Sequence, residues 1–299
     1  MNSATTVTLK DLLLTKYLVK NLKIKNNNNA PILTATNFTK IAGRGMEYAE
    51  SRLYQPGDDV RHIDWRITAR QGKTFTKLFH EEKGENNYII LDLSSSLYFG
   101  TKYYLKSVVA AKIASFLLWL GFFESNNIGG IVFNNHEISL TKAKLSKNNI
   151  ISIFNKIVEY HNPKLLTDNQ TSKINLSVVL EKYKYLFNKH SRIYVISDFL
   201  SIDDLLYHQL QMLSAKNLIN LIKVRDVIET TDLLPGRYDV SNGSECLPIV
   251  IDRNNHQLLK NFFAQKTDNY KKLIAKLNIK NIEIATLPDW HKQLFSQIK

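Results

Sequence analysis

Asp92, Ser94 and Ser96 place one carboxylate and two hydroxyls within five residues. That is a set of hard oxygen donors, suited to Mg²⁺, Mn²⁺ or Ca²⁺ and not to Zn²⁺. The spacing demands a turning loop, because an extended chain would set these residues along one face roughly 6–7 Å apart, and only a turn can aim all three oxygens at one point. The same residues have a plainer use, since an Asp or Ser at a strand end can cap the helix that follows. A second acid, Asp198, follows another apolar run and Ser197.

The elements that must position these groups can be read around them. Tyr88-Ile-Ile-Leu91 is an apolar run that stops at Asp92, which reads as a strand buried on both faces and running into a loop. Arg192-Ile-Tyr-Val-Ile196 leads to Ser197 and Asp198 in the same way. In a parallel sheet both strand ends lie on the carboxyl edge, where open α/β sheets hold their ligands. Strands and helices alternate from Tyr88 onward, with helices expected over 105–123, 148–160, 176–187, 203–215 and 257–277. The expected fold is therefore α/β, a doubly wound and mainly parallel sheet with helices on both faces, spanning residues 87–299. Residues 1–86 read as a small N-terminal module, with an amphipathic helix over 9–24 and a half-buried strand over 73–80. The charged connector 81–87 marks the boundary.

A second informative stretch runs from Tyr54 to Arg70. Pro56-Gly57 sets a tight turn. Asp58, Asp59, Arg61, Asp64 and Arg70 then surround Val60, Ile63 and Trp65. This density of Asp and Arg around a Trp reads as an ion-pair and hydrogen-bond network fixing an irregular loop. Its alternative use is a docking surface.

The 299 residues carry a net charge of +13 and are 44% hydrophobic, enough apolar material for a sizeable core. The lysines are scattered and mixed with asparagine, without a block of like charge, which argues against a nucleic-acid site. The single cysteine, Cys246, excludes a disulfide framework and a cysteine-ligated zinc site. The apolar stretch 108–123 is interrupted by Lys112 and falls short of the roughly 20 residues of a membrane span. The polar start of the chain shows no secretory signal. The expected location is the cytoplasm, with peripheral membrane association left open.

Asp92-x-Ser94-x-Ser96 with a later strand-terminal Asp198 resembles the metal-ion-dependent adhesion site of von Willebrand factor A domains. Tyr54-x-Pro-Gly-Asp-Asp-x-Arg-x-Ile-Asp-Trp65, Thr68-Ala-Arg70, Ser197-Asp-Phe-Leu200 and Asp226 with Leu234-Pro-Gly236 resemble the bacterial domain-of-unknown-function 58 family. The likeness extends from about Gly43 to Ile298. It implies a von Willebrand A-like domain, partnership with a MoxR-type AAA+ ATPase, and a bridging Mg²⁺ (or Ca²⁺ or Mn²⁺). Asp92, Ser94 and Ser96 would hold the ion directly, and Asp198 would accept hydrogen bonds from its water. Such sites usually add a Thr in a Thr-Asp-Leu context. Here Ile174-Asn175-Leu176 stands in that place, leaving Thr171 or Ser172 as substitutes.

The implied function is a non-enzymatic interaction module, an adaptor of the ATPase. Two other classes stay open. A hydrolase would use Ser94, Ser95 or Ser96 with His62, His80 or His136 as base, or a metal with Asp92 and Asp198. A polyanion binder would rely on the net positive charge. Gly-x-Ser-x-Gly and a phosphate-binding Gly-rich loop are absent from the sequence, so ATP hydrolysis would belong to the partner.

Overall fold

The computed structural model describes residues 4–25, 46–81, 85–161, 174–187, 190–229, 236–241, 246–251, 253–277 and 279–298. The chain forms two compact units, one of residues 34–84 and one combining 1–33 with 85–299.

The larger unit is built on a six-stranded sheet. Its strands are β3 (Asn86–Asp92), β4 (Asn127–Phe133), β5 (Ile138–Lys144), β6 (Arg192–Ser197), β7 (Leu218–Arg225) and β10 (Lys280–Ala285). They lie in the order β10-β7-β6-β3-β4-β5. All neighbours are parallel except the edge strand β5, which returns antiparallel to β4. β3 is central, and its side chains divide between two cores by the two-residue strand period. Ile89 and Leu91 join a core with α3 (Lys106–Phe123), α4 (Lys147–Tyr160) and α8 (Trp290–Ile298). Tyr88 and Ile90 join the other, with α5 (Leu176–Tyr183), α6 (Asp204–Ser214) and α7 (Arg253–Leu277). The expected mainly parallel α/β sheet with helices on both faces is thus observed.

The N-terminal helix α1 (Leu9–Lys25) belongs to this sheet unit, although the sequence grouped it with the module of residues 1–86. The reason is α3, whose residues from Lys106 to Gly121 are all buried. A helix that is apolar all round needs cover on its outer side as well as against the sheet, and α1 supplies it. Leu12, Thr15 and Val19 are buried. Thr15 Oγ1 and Ser115 Oγ lie 2.6 Å apart, and Ser115 Oγ also donates to the Leu12 carbonyl at 2.7 Å. Thr8 and Asp11 open α1 with reciprocal bonds. Thr8 N–H donates to Asp11 Oδ2 at 3.1 Å, and Asp11 N–H to Thr8 Oγ1 at 3.2 Å, the arrangement of a capping box. Leu13 and Tyr17, which share the expected apolar face, are instead exposed.

The smaller unit pairs β1 (Met46–Leu53) antiparallel with β2 (Phe75–Glu81). Between them the Tyr54–Arg70 stretch folds as a turn followed by the helix α2 (Trp65–Gln71), not as an irregular loop throughout. Gly57 takes a left-handed φ of 105°, closing the turn where a side chain would be strained. Asp58 accepts from Gln55 N–H at 2.9 Å and from Arg52 Nη2 at 2.7 Å. Tyr54 Oη donates to the Asp58 carbonyl at 3.3 Å. Arg61 forks onto Asp59 at 2.7–3.1 Å and holds that carboxyl down at about 2. Asp64 caps α2 through Arg66 and Ile67 N–H groups, both at 3.2 Å, and accepts from Ser51 Oγ at 3.0 Å. Arg70 closes the helix in its last turn, on the side favoured for a cation. Trp65 is not the centre of this network. It is 70% exposed, and Val60 is 62% exposed. The network is built by the carboxylates and backbone around Trp65.

The hairpin of β8 (Gly236–Ser241) and β9 (Cys246–Ile251) stands apart from the main sheet. It contains Gly236 of the Leu234-Pro-Gly236 motif; Leu234 and Pro235 lie outside the described residues.

Candidate metal and partner-binding site

The carboxyl ends of β3 and β6 open into a cavity of about 290 Å³. Its walls carry Asp92, Ser94, Ser96, Asn135, Ser197 and Asp198, together with Ser95, Ser201 and the Ile174–Leu176 segment. β3 and β6 are adjacent parallel strands with Leu91 paired to Ile196, so Asp92 emerges beside Ser197 and Asp198 follows one residue on, at the same carboxyl edge.

The loop after β3 turns at once. Asp92 Oδ1 accepts from Ser94 N–H at 2.8 Å, and a single 3₁₀ turn over Ser95–Leu97 follows Ser94. Ser94 Oγ and Ser96 Oγ come within 3.3 Å of one another. Ser95 N–H donates to Asn135 Oδ1 at 2.7 Å, tying the loop to the β4–β5 turn. On the β6 side, Ser197 Oγ donates to Asp92 Oδ2 at 2.7 Å and accepts from Phe199 N–H at 3.2 Å. Phe199 has a left-handed φ of 51° and stacks on Tyr270 with centroids 5.0 Å apart. This tight turn directly follows Asp198.

Asp92 and Asp198 have different surroundings. Asp92 is buried, and burial together with the facing Asp198 pushes its pKa up to about 6, against the pull of Ser197 and Ser94. Asp198 is held by protein donors. Lys106 Nζ lies 2.8 Å from its Oδ2, and Leu200 N–H donates to its Oδ1 at 3.2 Å. Lys106 Nζ also lies 3.3 Å from Glu229 Oε1. Burial opposes the charge on Lys106, but Asp198 and Glu229 outweigh it and raise its pKa above the usual value.

Ile174, Asn175 and Leu176 stand on the cavity wall. Ile174 N–H donates to the Asn135 carbonyl at 3.0 Å, bringing the segment to the cavity wall. Asn175 turns its Oδ1 into helix capping, accepting from Val178 N–H at 3.0 Å and Ser177 Oγ at 2.8 Å. Thr171 and Ser172 lie outside the described residues.

The donors present fit a hard cation. Every polar group named on the wall offers oxygen, and Asp92 retains lone pairs beyond its two accepted bonds. Burial, with Asp198 facing it, is what raises Asp92, and a divalent ion bound there would favour its ionised form. The set is hydroxyl-rich, and among the described residues there is no group of three or more His, Cys, Asp or Glu placed to hold a metal.

Sequence reasoning did not single out Lys106, Asn135 or Ser201 for the site. Asn135 was visible as a turn residue, and Lys106 as a cation opening an otherwise apolar helix. Of the histidines considered as bases, His136 sits beside Asn135 in the β4–β5 turn. His62 belongs to the smaller unit, and the side chain of His80 lies outside those described. Asp226 has no exposure and accepts from Thr101 N–H at 3.1 Å, Thr286 Oγ1 at 2.8 Å and Ile228 N–H at 3.0 Å. It is a structural clasp at the end of β7.

A family model described as "Protein of unknown function DUF58" matches residues 50–272, from β1 into α7. An uncharacterized protein of Mycobacterium bovis, Mb1516, is 32% identical over 116 residues, 39% of this chain and 37% of its own length. The uncharacterized protein Rv1480 of Mycobacterium tuberculosis matches to the same extent. The match thus spans little more than a third of these curated relatives. Among solved structures, a mutant of the PilB minor pilin from Streptococcus sanguinis superposes with a TM-score of 0.39 at 10% identity, over 76% of this chain and 65% of that one.

Proposed function

The chain belongs to the DUF58 family of proteins of unknown function, and we propose that it is a non-enzymatic interaction module that docks an acidic partner group through a divalent cation. The observation that carries this is the pairing of Ser94 and Ser96 hydroxyls, 3.3 Å apart, beside the buried Asp92 in an oxygen-lined cavity at the sheet edge. Asp92, Ser94 and Ser96 would hold the ion, with Asp198 oriented behind them. Mg²⁺ there supplies an electrophilic centre that a carboxylate from a second protein completes. The resemblance to von Willebrand A-like domains supports this mode, and membership of the DUF58 family points to a MoxR-type AAA+ ATPase as partner.

The test is a pull-down with tagged protein from the native cell's lysate in Mg²⁺, comparing wild type with Asp92→Ala. Recovery of an AAA+ ATPase by wild type alone is the expected result. Equal recovery by both would keep the adaptor and remove the metal bridge. Recovery by neither would remove the adaptor.

A further inference from the structure

Among the described residues of the sheet unit, the most enclosed ion-pair cluster joins three elements. Lys106 comes from the first turn of α3, Asp198 from the end of β6, and Glu229 from the turn after β7. Their side chains are 1%, 3% and 5% exposed. A cation is disfavoured in the first turn of a helix, where the macrodipole is positive. Burial disfavours it again, since an enclosed ammonium must be paired to be tolerated. Lys106 meets both penalties, so helix stability does not explain it. What it gains is Asp198 at 2.8 Å and Glu229 at 3.3 Å.

We propose that Lys106 is a built-in cation that positions Asp198 and holds the pocket's affinity for a divalent ion low, so that binding is completed only when a partner adds its own carboxylate. The inference rests on the metal-bridged reading above. Asp198 is fixed by Lys106 and by Leu200 N–H. Lys106 offsets part of the negative charge that Asp198 and Glu229 would otherwise add to that of Asp92, and ligand charge governs hard-cation affinity. Glu229 works in the opposite sense, because it shares Lys106 with Asp198. Lys106 is a positioning residue; it does not line the cavity.

The experiment is a Mn²⁺ titration followed by the electron paramagnetic resonance of the free ion. It uses wild type, Asp92→Ala, Lys106→Met and Glu229→Gln, each checked for folding by circular dichroism. Lys106→Met is expected to bind Mn²⁺ about tenfold tighter or more than wild type, the scale on which one neighbouring charge acts at a carboxylate. Glu229→Gln is expected to bind more weakly. A purely structural role would leave the affinity of folded variants unchanged, and unchanged affinity or shifts in the same direction overturn the proposal. If Lys106→Met does not fold, Glu229→Gln decides: weaker binding supports it and unchanged binding overturns it. Asp92-dependent Mn²⁺ binding in wild type with no response to either charge variant sinks this inference alone. No Asp92-dependent binding in any folded protein, Lys106→Met included, sinks the metal-bridged reading and this inference with it.

Discussion

Ser197 Oγ donates to Asp92 Oδ2 at 2.7 Å, from the end of one parallel strand to the end of its neighbour. The bond is buried and favours the ionised form of Asp92. Ser197→Ala should raise the Asp92 pKa further and lower stability by about 1–2 kcal/mol, the usual cost of taking a partner from a buried acceptor. Carboxyl-carbon NMR titration and urea unfolding read the two effects separately. A stable variant with an unmoved titration would show the bond to be unimportant.

Asp92 itself should trade stability for binding. Its folded pKa, about 6, lies above the usual carboxylate value. The folded state therefore binds its proton more tightly than the unfolded chain. The stability this contributes is present below pH ~4 and lost as pH rises through about 6. Asp92→Asn should thus be more stable than wild type at pH 7.5, by about 1–2 kcal/mol after its lost hydrogen bonds are counted. The advantage should vanish near pH 4. In urea midpoints across pH, a variant less stable than wild type at pH 7.5 would contradict the reasoning.

The same proton competes with a cation. If Asp92 is the anchoring ligand, Mn²⁺ affinity should rise with pH up to about 6 and then level, being roughly tenfold weaker at pH 5 than at pH 7. Calorimetric titration at the two values tests this. A flat profile would place the ion elsewhere.

His161 supplies a second, opposite pH effect. It is buried beside Ser107, with Nε2 3.0 Å from the serine Oγ, and burial depresses its pKa to about 4. A histidine with a lowered folded pKa is neutral and harmless at pH 7.5. The unfolded chain takes up its proton first as pH falls below ~6.5, so stability is lost down to about pH 4. Between pH 7.5 and 5 the loss is about 2 kcal/mol. His161→Leu should remove that part of the acid dependence, and the difference from wild type isolates it from the gain at Asp92.

In the smaller unit, Trp65 and Asp64 should behave differently although they are neighbours. Asp64 caps α2, so Asp64→Ala should cost about 1 kcal/mol. Trp65 is 70% exposed, so Trp65→Ala should change stability by less than about 0.5 kcal/mol. Loss of partner recovery by Trp65→Ala at unchanged melting temperature would assign the exposed ring to docking. Unchanged recovery would assign the motif to scaffolding.

The strands that end in Asp92 and Asp198 were legible because a short apolar run stopped by small polar residues is the pattern of a buried strand meeting a loop. Lys106 was not, because a lysine at the start of an apolar helix reads as solvent-facing. Its partner Asp198 is 92 residues away, and sequence periodicity carries nothing over that distance. β1 was missed for another reason. Its Glu- and Ala-containing sequence has little strand propensity, and pairing with β2 overrides it. The β8–β9 hairpin was not read as a strand pair, since Pro248 interrupts the pattern of β9.

α1 covering α3 sets an order of events during synthesis. Ser115, whose Oγ joins Thr15 Oγ1 in donating to the Leu12 carbonyl, comes 103 residues later in the chain. At roughly 5–20 residues per second, the first helix spends roughly 5–20 seconds outside the ribosome with its inner face uncovered. When α3 emerges, it too is apolar on every side until α1 and the sheet close on it. The uncovered inner face of α1 and the apolar α3 leave the nascent chain open to chaperone capture or misassociation over this interval, before the sheet edge that forms the site is complete.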